Sequence, residues 1–194
     1  MEECLATKEY LLICRGYCPA QGIIDHALKP INDFKNKRSK HNVKKVKAAP
    51  FNSTLNSFDV NIAQQNALSH KQKPAQNAVK HFKQLATIEI DAAIDRYPNS
   101  RFSLVNAQLQ TGRKHQIRRH FKHISHPIIG CPKYGKSKYN HYFAEHLAAP
   151  RLLLHAYCLS FIHPVTQQTI VIKARPSGSF LALLKRFNWV QYIE

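Results

Sequence analysis

Thr111-Gly112-Arg113-Lys114-His115-Gln116-Ile117-Arg118-Arg119-His120 is the stretch on which the reading of this chain turns. Beyond Arg113 it carries five further Lys, Arg or His side chains and no acid, directly after a Thr-Gly turn. The acid-free window is wider still, because nothing between Asp95 and Glu145 is acidic. A segment this basic calls for a polyanion, and an arginine leading off a turn aims one positive charge at a particular point. Ile117, Phe121 and Ile124 recur at helical spacing, which predicts a helix over about 114–125, ended by His126-Pro127. A helix N-terminus disfavours positive charge, so Arg113 needs a reason to stand there beyond solvation.

The whole composition agrees with that stretch. The 194 residues carry a net charge of +18, from 29 Lys and Arg against 11 Asp and Glu, with 12 His besides. At 44% apolar residues the chain has the means to build a core, and its length suits one ordinary domain. The charge excess points to phosphate backbones or an anionic membrane face. No apolar run approaches the roughly 18–20 residues of a membrane span. The opening Met1-Glu2-Glu3-Cys4-Leu5-Ala6 lacks the basic and apolar segments of a secretion signal. A cytoplasmic, monomeric nucleic-acid-binding protein without a membrane partner is therefore expected.

Cysteines 4, 14, 18, 131 and 158 are odd in number and without a repeating spacing. Cys14 and Cys18 are three residues apart, but no second pair follows to complete a zinc cage. Free, mostly buried thiols in a reducing compartment are the expectation. His115, His120, His123 and His126 have ligand-like spacing, yet that helix offers no acid or cysteine to join them. No metal is expected.

Along the chain, Lys8 to Arg15 reads as a strand, with Tyr10 to Cys14 as its apolar run and Gly16 closing it. From about 35 to 76 the sequence turns basic and then Asn-, Gln- and Ser-rich, and its apolar residues keep no period. A flexible insertion is expected there, either a solvated loop or an arm that grips RNA. His81–Ile90 and Ser100–Gln110 predict paired strands joined through Asp95-Arg96-Tyr97-Pro98-Asn99. A short helix is expected at Tyr142–Leu147, and a hairpin from Arg151–His163 and Thr169–Ala174. Ser177 is expected to cap a last helix carrying Phe180, Leu181, Leu184 and Phe187 on its inner side. The strands show no regular βαβ alternation. The fold class is therefore α+β, with a mixed, largely antiparallel sheet and flanking helices.

Several separated motifs, in order, then carry a family resemblance. The 111–120 stretch, His126-Pro127-Ile128-Ile129-Gly130, Arg151-Leu152-Leu153-Leu154-His155-Ala156 and His163-Pro164 resemble the C-terminal two-thirds of an RluA-type RNA pseudouridine synthase. Lys8-Glu9-Tyr10 with Arg15-Gly16 resembles the segment after that family's catalytic loop. Phe82 to Glu89 and Arg96 to Val105 are similar to its tRNA pseudouridine synthase C branch, which modifies uridine 65 of tRNA. The resemblance covers nearly everything except the basic tract.

What the resemblance implies is a catalytic-domain fold in one piece, over residues 1–194, that detaches uracil from its ribose, rotates it and rejoins it through carbon. No metal or organic cofactor is implied, and the expected partner is RNA, most of all tRNA. The family's nucleophile is an aspartate within His-Arg-Leu-Asp, followed by Thr-Ser-Gly. None of the eleven acids here has Arg-Leu before it or Thr-Ser-Gly after it. The motif is expected before the position of Met1, making the chain a truncated enzyme or an RNA-binding remnant. By resemblance, Arg113 pairs with that aspartate and holds it ionised. Tyr10 stacks on the target base and handles protons, and Leu153 and Leu154 line the pocket. Lys114, His115, Arg118, Arg119 and Lys122 are the RNA-facing candidates on the helix. Lys133, Lys136 and Lys138, interleaved with Tyr134 and Tyr139, are further phosphate candidates or a plain solvated face. Cys131 stands where the family has an aspartate, which leaves the geometry of the loop after Gly130 open.

Overall fold

Leu11, Leu12, Ile13 and Cys14 are all buried, at 0–1% exposure, although successive side chains of a strand point to opposite faces. Only a strand with partners on both edges and cover on both faces buries such a run. That strand, β1 (Thr7–Arg15), lies inside a six-stranded sheet. The computed structural model describes residues 6–31, 74–76 and 78–193.

The other strands are β2 (Gln21–Asp25), β3 (Val79–Ile90), β4 (Ser100–Leu109), β5 (Leu154–Ile162) and β6 (Thr169–Lys173). They run in the order β2-β3-β4-β1-β5-β6, and every ladder between them is antiparallel. Three helices follow the same chain: α1 (Gln116–His123), α2 (Ser137–His146) and α3 (Gly178–Arg186). The α+β expectation is met, with an antiparallel sheet.

Alternation along β1 divides the core in two. Leu11 and Ile13 join Phe102, Leu104, Tyr139 and Phe143, the side covered by α2 and α3. Leu12 and Cys14 join Phe82, Val105, Ala107, Ile117 and Phe121, the side covered by α1. At about 25 cal/mol per Å2 of apolar surface, the two layers supply the main stabilising term.

Three local readings shift. β2 has no counterpart in the sequence reading, because this short edge strand buries only Ile24 while Ile23 is 62% exposed. Gly22 is there because Phe82 fills the space above it; a Cβ would lie 2.8 Å from the ring. α2 begins at Ser137, five residues before the expected Tyr142, since Tyr139 and Phe143 pack on Phe102. Ser177 occupies the N-cap position of α3 without a capping hydrogen bond from its side chain.

The chain divides into two compact units, residues 29–76 and the remainder, and the whole sheet belongs to the latter. The insertion expected at about 35–76 lies outside the described residues except for 74–76. Among the described residues no helix is long and apolar enough to cross a membrane.

Candidate nucleic-acid-facing active site

Tyr10 shares its face of β1 with Leu12 and Cys14, so it stands on the α1 side, half-buried at the margin of that core with Leu109, Ile117 and Leu154 nearby in the same cluster. It sits at an irregularity. Opposite β5 the register runs from Glu9↔Cys158 to Tyr10↔Ala156, a bulge that skips Tyr157. Bulges re-aim the side chain that follows them. A cavity of about 310 Å3 opens beside Tyr10, between β1, β5 and β6, bordered by Lys8, Ala156, Cys158, Ile172 and Ala174.

The two leucines expected to line the pocket part company. Leu154 is half-buried on the Tyr10 side, whereas Leu153 is fully buried in the α2–α3 core. Adjacent residues entering a strand face opposite ways, so only one of them could border Tyr10. Leu153 has a different job. Its carbonyl accepts from Ile13 N–H at 3.1 Å, and its own N–H donates to the Ile129 carbonyl at 3.0 Å.

The Arg113 turn leaves β4 at the edge where β1 begins, because Leu109 pairs with Lys8 and Ala107 with Tyr10. The turn is fastened from below by Gln116, which is 2% exposed. Gln116 Oε1 accepts from the Arg113 backbone N–H and from the Thr111 hydroxyl, each at 2.9 Å. Its Nε2 donates to the Val79 carbonyl at 3.2 Å, and Val79 N–H donates to Thr111 Oγ1 at 3.3 Å. The helix therefore starts at Gln116 rather than near Lys114. Arg113 is in the turn before it, exposed, and its carbonyl accepts from Gln116 N–H at 3.0 Å. His115 bridges turn and helix in the left-handed region at φ 55, a conformation that costs a non-glycine residue about 1 kcal/mol or more. Gln116 is the functional residue that spacing alone did not single out.

Of the basic candidates, Arg118 and Lys133 converge on one aromatic. The Arg118 guanidinium lies 5.3 Å and the Lys133 amine 5.8 Å from the Tyr134 ring centroid, and His115 meets that ring edge-on at 5.8 Å. Lys114 and Lys122 are exposed and Arg119 half-buried along the same segment. Lys136 and Lys138 are elsewhere. Their amines lie 3.6 and 2.9 Å from the Asp95 carboxylate, in the β3–β4 connection. Lys138 holds Asp95 below its usual range, chiefly by its hydrogen bond. That connection and the Arg113 turn are at opposite ends of β4, ten residues and roughly 30 Å apart.

The loop after Gly130 keeps its shape with Cys131. The sulfur accepts from Tyr134 N–H at 3.3 Å and from Arg118 Nε at 3.2 Å. Gly130, at φ 73, lies against Arg151, whose carbonyl oxygen a Cβ would meet at 1.9 Å. Beneath α1 sits an unusual group: the Lys80 side chain is fully buried, its amine has no hydrogen-bond partner, and it lies 3.4 Å from the Phe121 ring centroid. Burial drives its pKa down to about 7. Burial likewise drives His120 down to about 4, helped by the Lys80 charge.

A central strand thus presents Tyr10 beside a cavity, on the face of the sheet covered by the helix that follows the pinned Arg113 turn. A sequence model described as RNA pseudouridylate synthase matches residues 2–123, and the chain belongs to that family. Among curated relatives, it is 36% identical over 183 residues to the tRNA pseudouridine synthase C of Vibrio vulnificus (strain CMCP6), covering 94% of this chain and 63% of the relative. It is 36% identical over 182 residues to that of Pasteurella multocida (strain Pm70), again covering 94% and 63%. The chain thus spans less than two-thirds of the length of these relatives. Among solved structures, human RNA pseudouridylate synthase domain containing 1 superposes with a TM-score of 0.55 at 18% identity, covering 89% of this chain and 55% of that one. Human RNA pseudouridylate synthase domain containing 4 gives 0.54 at 20%, covering 94% and 62%. These two likenesses concern the fold.

Proposed function

We propose that this chain is the uridine-handling part of a tRNA pseudouridine synthase, isomerising uridine to pseudouridine when the nucleophilic aspartate is supplied. The observation that carries this reading is the Gln116-fastened Arg113 turn on the same side and end of the sheet as Tyr10. Arg113 would pair with the incoming carboxylate and keep it ionised, since a guanidinium stabilises the charged form. Tyr10 would stack on the uracil, with Leu154 as an apolar neighbour that limits water. Lys114, His115, Arg118, Arg119, Lys122 and Lys133 would meet phosphates. Uridine 65 of tRNA is the target proposed, on the resemblance carried by Phe82 to Glu89 and Arg96 to Val105. The sheet unit would act as one catalytic-domain piece, as a cytoplasmic monomer.

A second reading, an RNA-binding protein without turnover, draws support from the acids themselves: none of the eleven has the flanking residues of the nucleophile. One assay separates the two. The 194-residue chain, with and without a polypeptide carrying the His-Arg-Leu-Asp segment, is mixed with tRNA tritiated at uracil C5. Tritium release only in the presence of that polypeptide is expected; no release under either condition would leave the binding reading standing. Binding by the chain alone should weaken by orders of magnitude from low to physiological salt. Equal affinity for duplex DNA would overturn both readings.

A further inference from the structure

At the far end of β1 from Tyr10 lies a cluster that the proposed reaction does not use. Cys14 closes the buried run of β1, Gly16 reverses the chain at φ 82, and Cys18 returns toward Cys14. Ser103 holds this return: Cys18 N–H donates to Ser103 Oγ at 2.9 Å, and that hydroxyl donates to the Gly16 carbonyl at 2.8 Å. His126 comes from the segment after α1. Its Nδ1 is 2.9 Å from the Arg15 carbonyl oxygen, and its ring rests on Gly16, where a Cβ would come 3.2 Å from Nδ1. The two sulfurs and one ring nitrogen all lie within 4.8 Å of one another. Both thiols are free, and they are 0% and 4% exposed.

We propose that Cys14, Cys18 and His126 bind a thiophilic divalent ion of the Zn2+ class, leaving a fourth position for water. Two thiolates and an imidazole are a soft, borderline donor set that suits zinc and not magnesium or calcium. Bond lengths of about 2.3 Å to sulfur and 2.0 Å to nitrogen set ligand atoms roughly 3.5–3.8 Å apart, so the loosest pair need close by about 1 Å. A ring N–H given to a backbone carbonyl is the usual way a ligating histidine is oriented. The Lys80 amine provides the independent observation. It is fully buried, without a hydrogen-bond partner, over the Phe82 and Phe121 rings of the same core cluster that holds both sulfurs. The bound ion would tie the end of β1 to the segment that follows α1. The sequence expectation of no metal rested on the lack of a second nearby pair. The third ligand instead comes from His126, remote in sequence.

The test uses the full chain, reduced and freed of metal by a chelator, titrated with Co2+. One equivalent is expected to produce a thiolate-to-cobalt charge-transfer band with tetrahedral visible absorption, bleached by Zn2+. Cys14→Ser and Cys18→Ser should each weaken binding at least tenfold, while Cys158→Ser should leave it unchanged. Absence of the band, or a band that survives both serine variants, overturns the proposal. Where a serine variant does not fold, alkylation of the parent chain decides. Zn2+ should slow modification of Cys14 and Cys18 at least tenfold; equal rates with and without Zn2+ overturn the site.

Discussion

Gln116 engages both ends of its buried amide, accepting from Arg113 N–H and Thr111 and donating to Val79. Gln116→Leu has nearly the right volume but leaves these three groups short of a partner. A buried group left unpaired costs about 1–3 kcal/mol, so the melting temperature should fall by several degrees and tRNA affinity with it. An unchanged melt with unchanged affinity would separate the turn from the site. Lys80 and His120 make a different prediction. Both are held below their ordinary values, to about 7 and about 4, so the folded chain disfavours their charged forms. Between about 4 and 6.5 the unfolded chain holds a proton that folded His120 has lost, and between about 7 and 10.5 the same is true of Lys80. Each contribution therefore makes stability rise with pH across its own window. Lys80→Met should melt higher than the parent in chelator at pH 6, and the gap should close as pH rises toward 9. A gap that stays constant would mean that the amine is not being titrated.

The segment 128–130 is where packing leaves least freedom. Ile129 N–H donates to the Ile13 carbonyl at 3.0 Å while its carbonyl takes Leu153 N–H, so the segment knits the end of β1 to the start of β5. Gly130→Ala would put a methyl 1.9 Å from the Arg151 carbonyl oxygen, at a φ of 73 that alanine resists. A loss of about 2–4 kcal/mol is expected, read as an earlier urea midpoint with little change in slope. Cys131→Asp should act oppositely, because a carboxylate accepts from Tyr134 N–H and Arg118 more strongly than sulfur does. These contacts also mark how far the sequence could be read. β1, β3, β4 and the β5–β6 hairpin were legible because each keeps a run or alternation of apolar residues long enough to fix its type. β2 was not, since it buries one isoleucine, and the start of α2 was masked by the polar Ser137-Lys138 ahead of Tyr139. Arg113 and Tyr10 were named through motif alone, and Leu153 was read as pocket lining while its backbone and burial tie it to the other core. Lys80, in Val79-Lys80-His81-Phe82, looks like any surface lysine until β2 and α1 close over it. The Cys14–Cys18–His126 grouping exists only once α1 has brought His126 back to Gly16.

The described basic residues divide into two populations by their surroundings. Around α1, Arg118, Arg119, Lys122 and Lys133 have no carboxylate partner among the described residues. At the opposite end of β4, Lys136 and Lys138 share Asp95, and Glu89 takes Arg101 at 2.7 Å together with Asn99 and Tyr17. Cations already matched to carboxylates release fewer counterions when RNA approaches, whereas cations without a carboxylate beside them contribute fully. Exposed pairs such as Lys138–Asp95 add little stability, typically below about 1 kcal/mol, so removing them should not disturb the fold. Lys122→Ala and Lys133→Ala should each weaken tRNA binding and lower the slope of log K against log salt by about 1. Lys138→Ala should change that slope by clearly less, and Asp95→Asn, which frees both lysines, should steepen it. The comparison is made by binding titrations at four or more salt concentrations with the same tRNA. If Lys138→Ala lowers the slope as much as Lys122→Ala does, the RNA surface extends along the whole of β4 and is not confined to the Arg113 end.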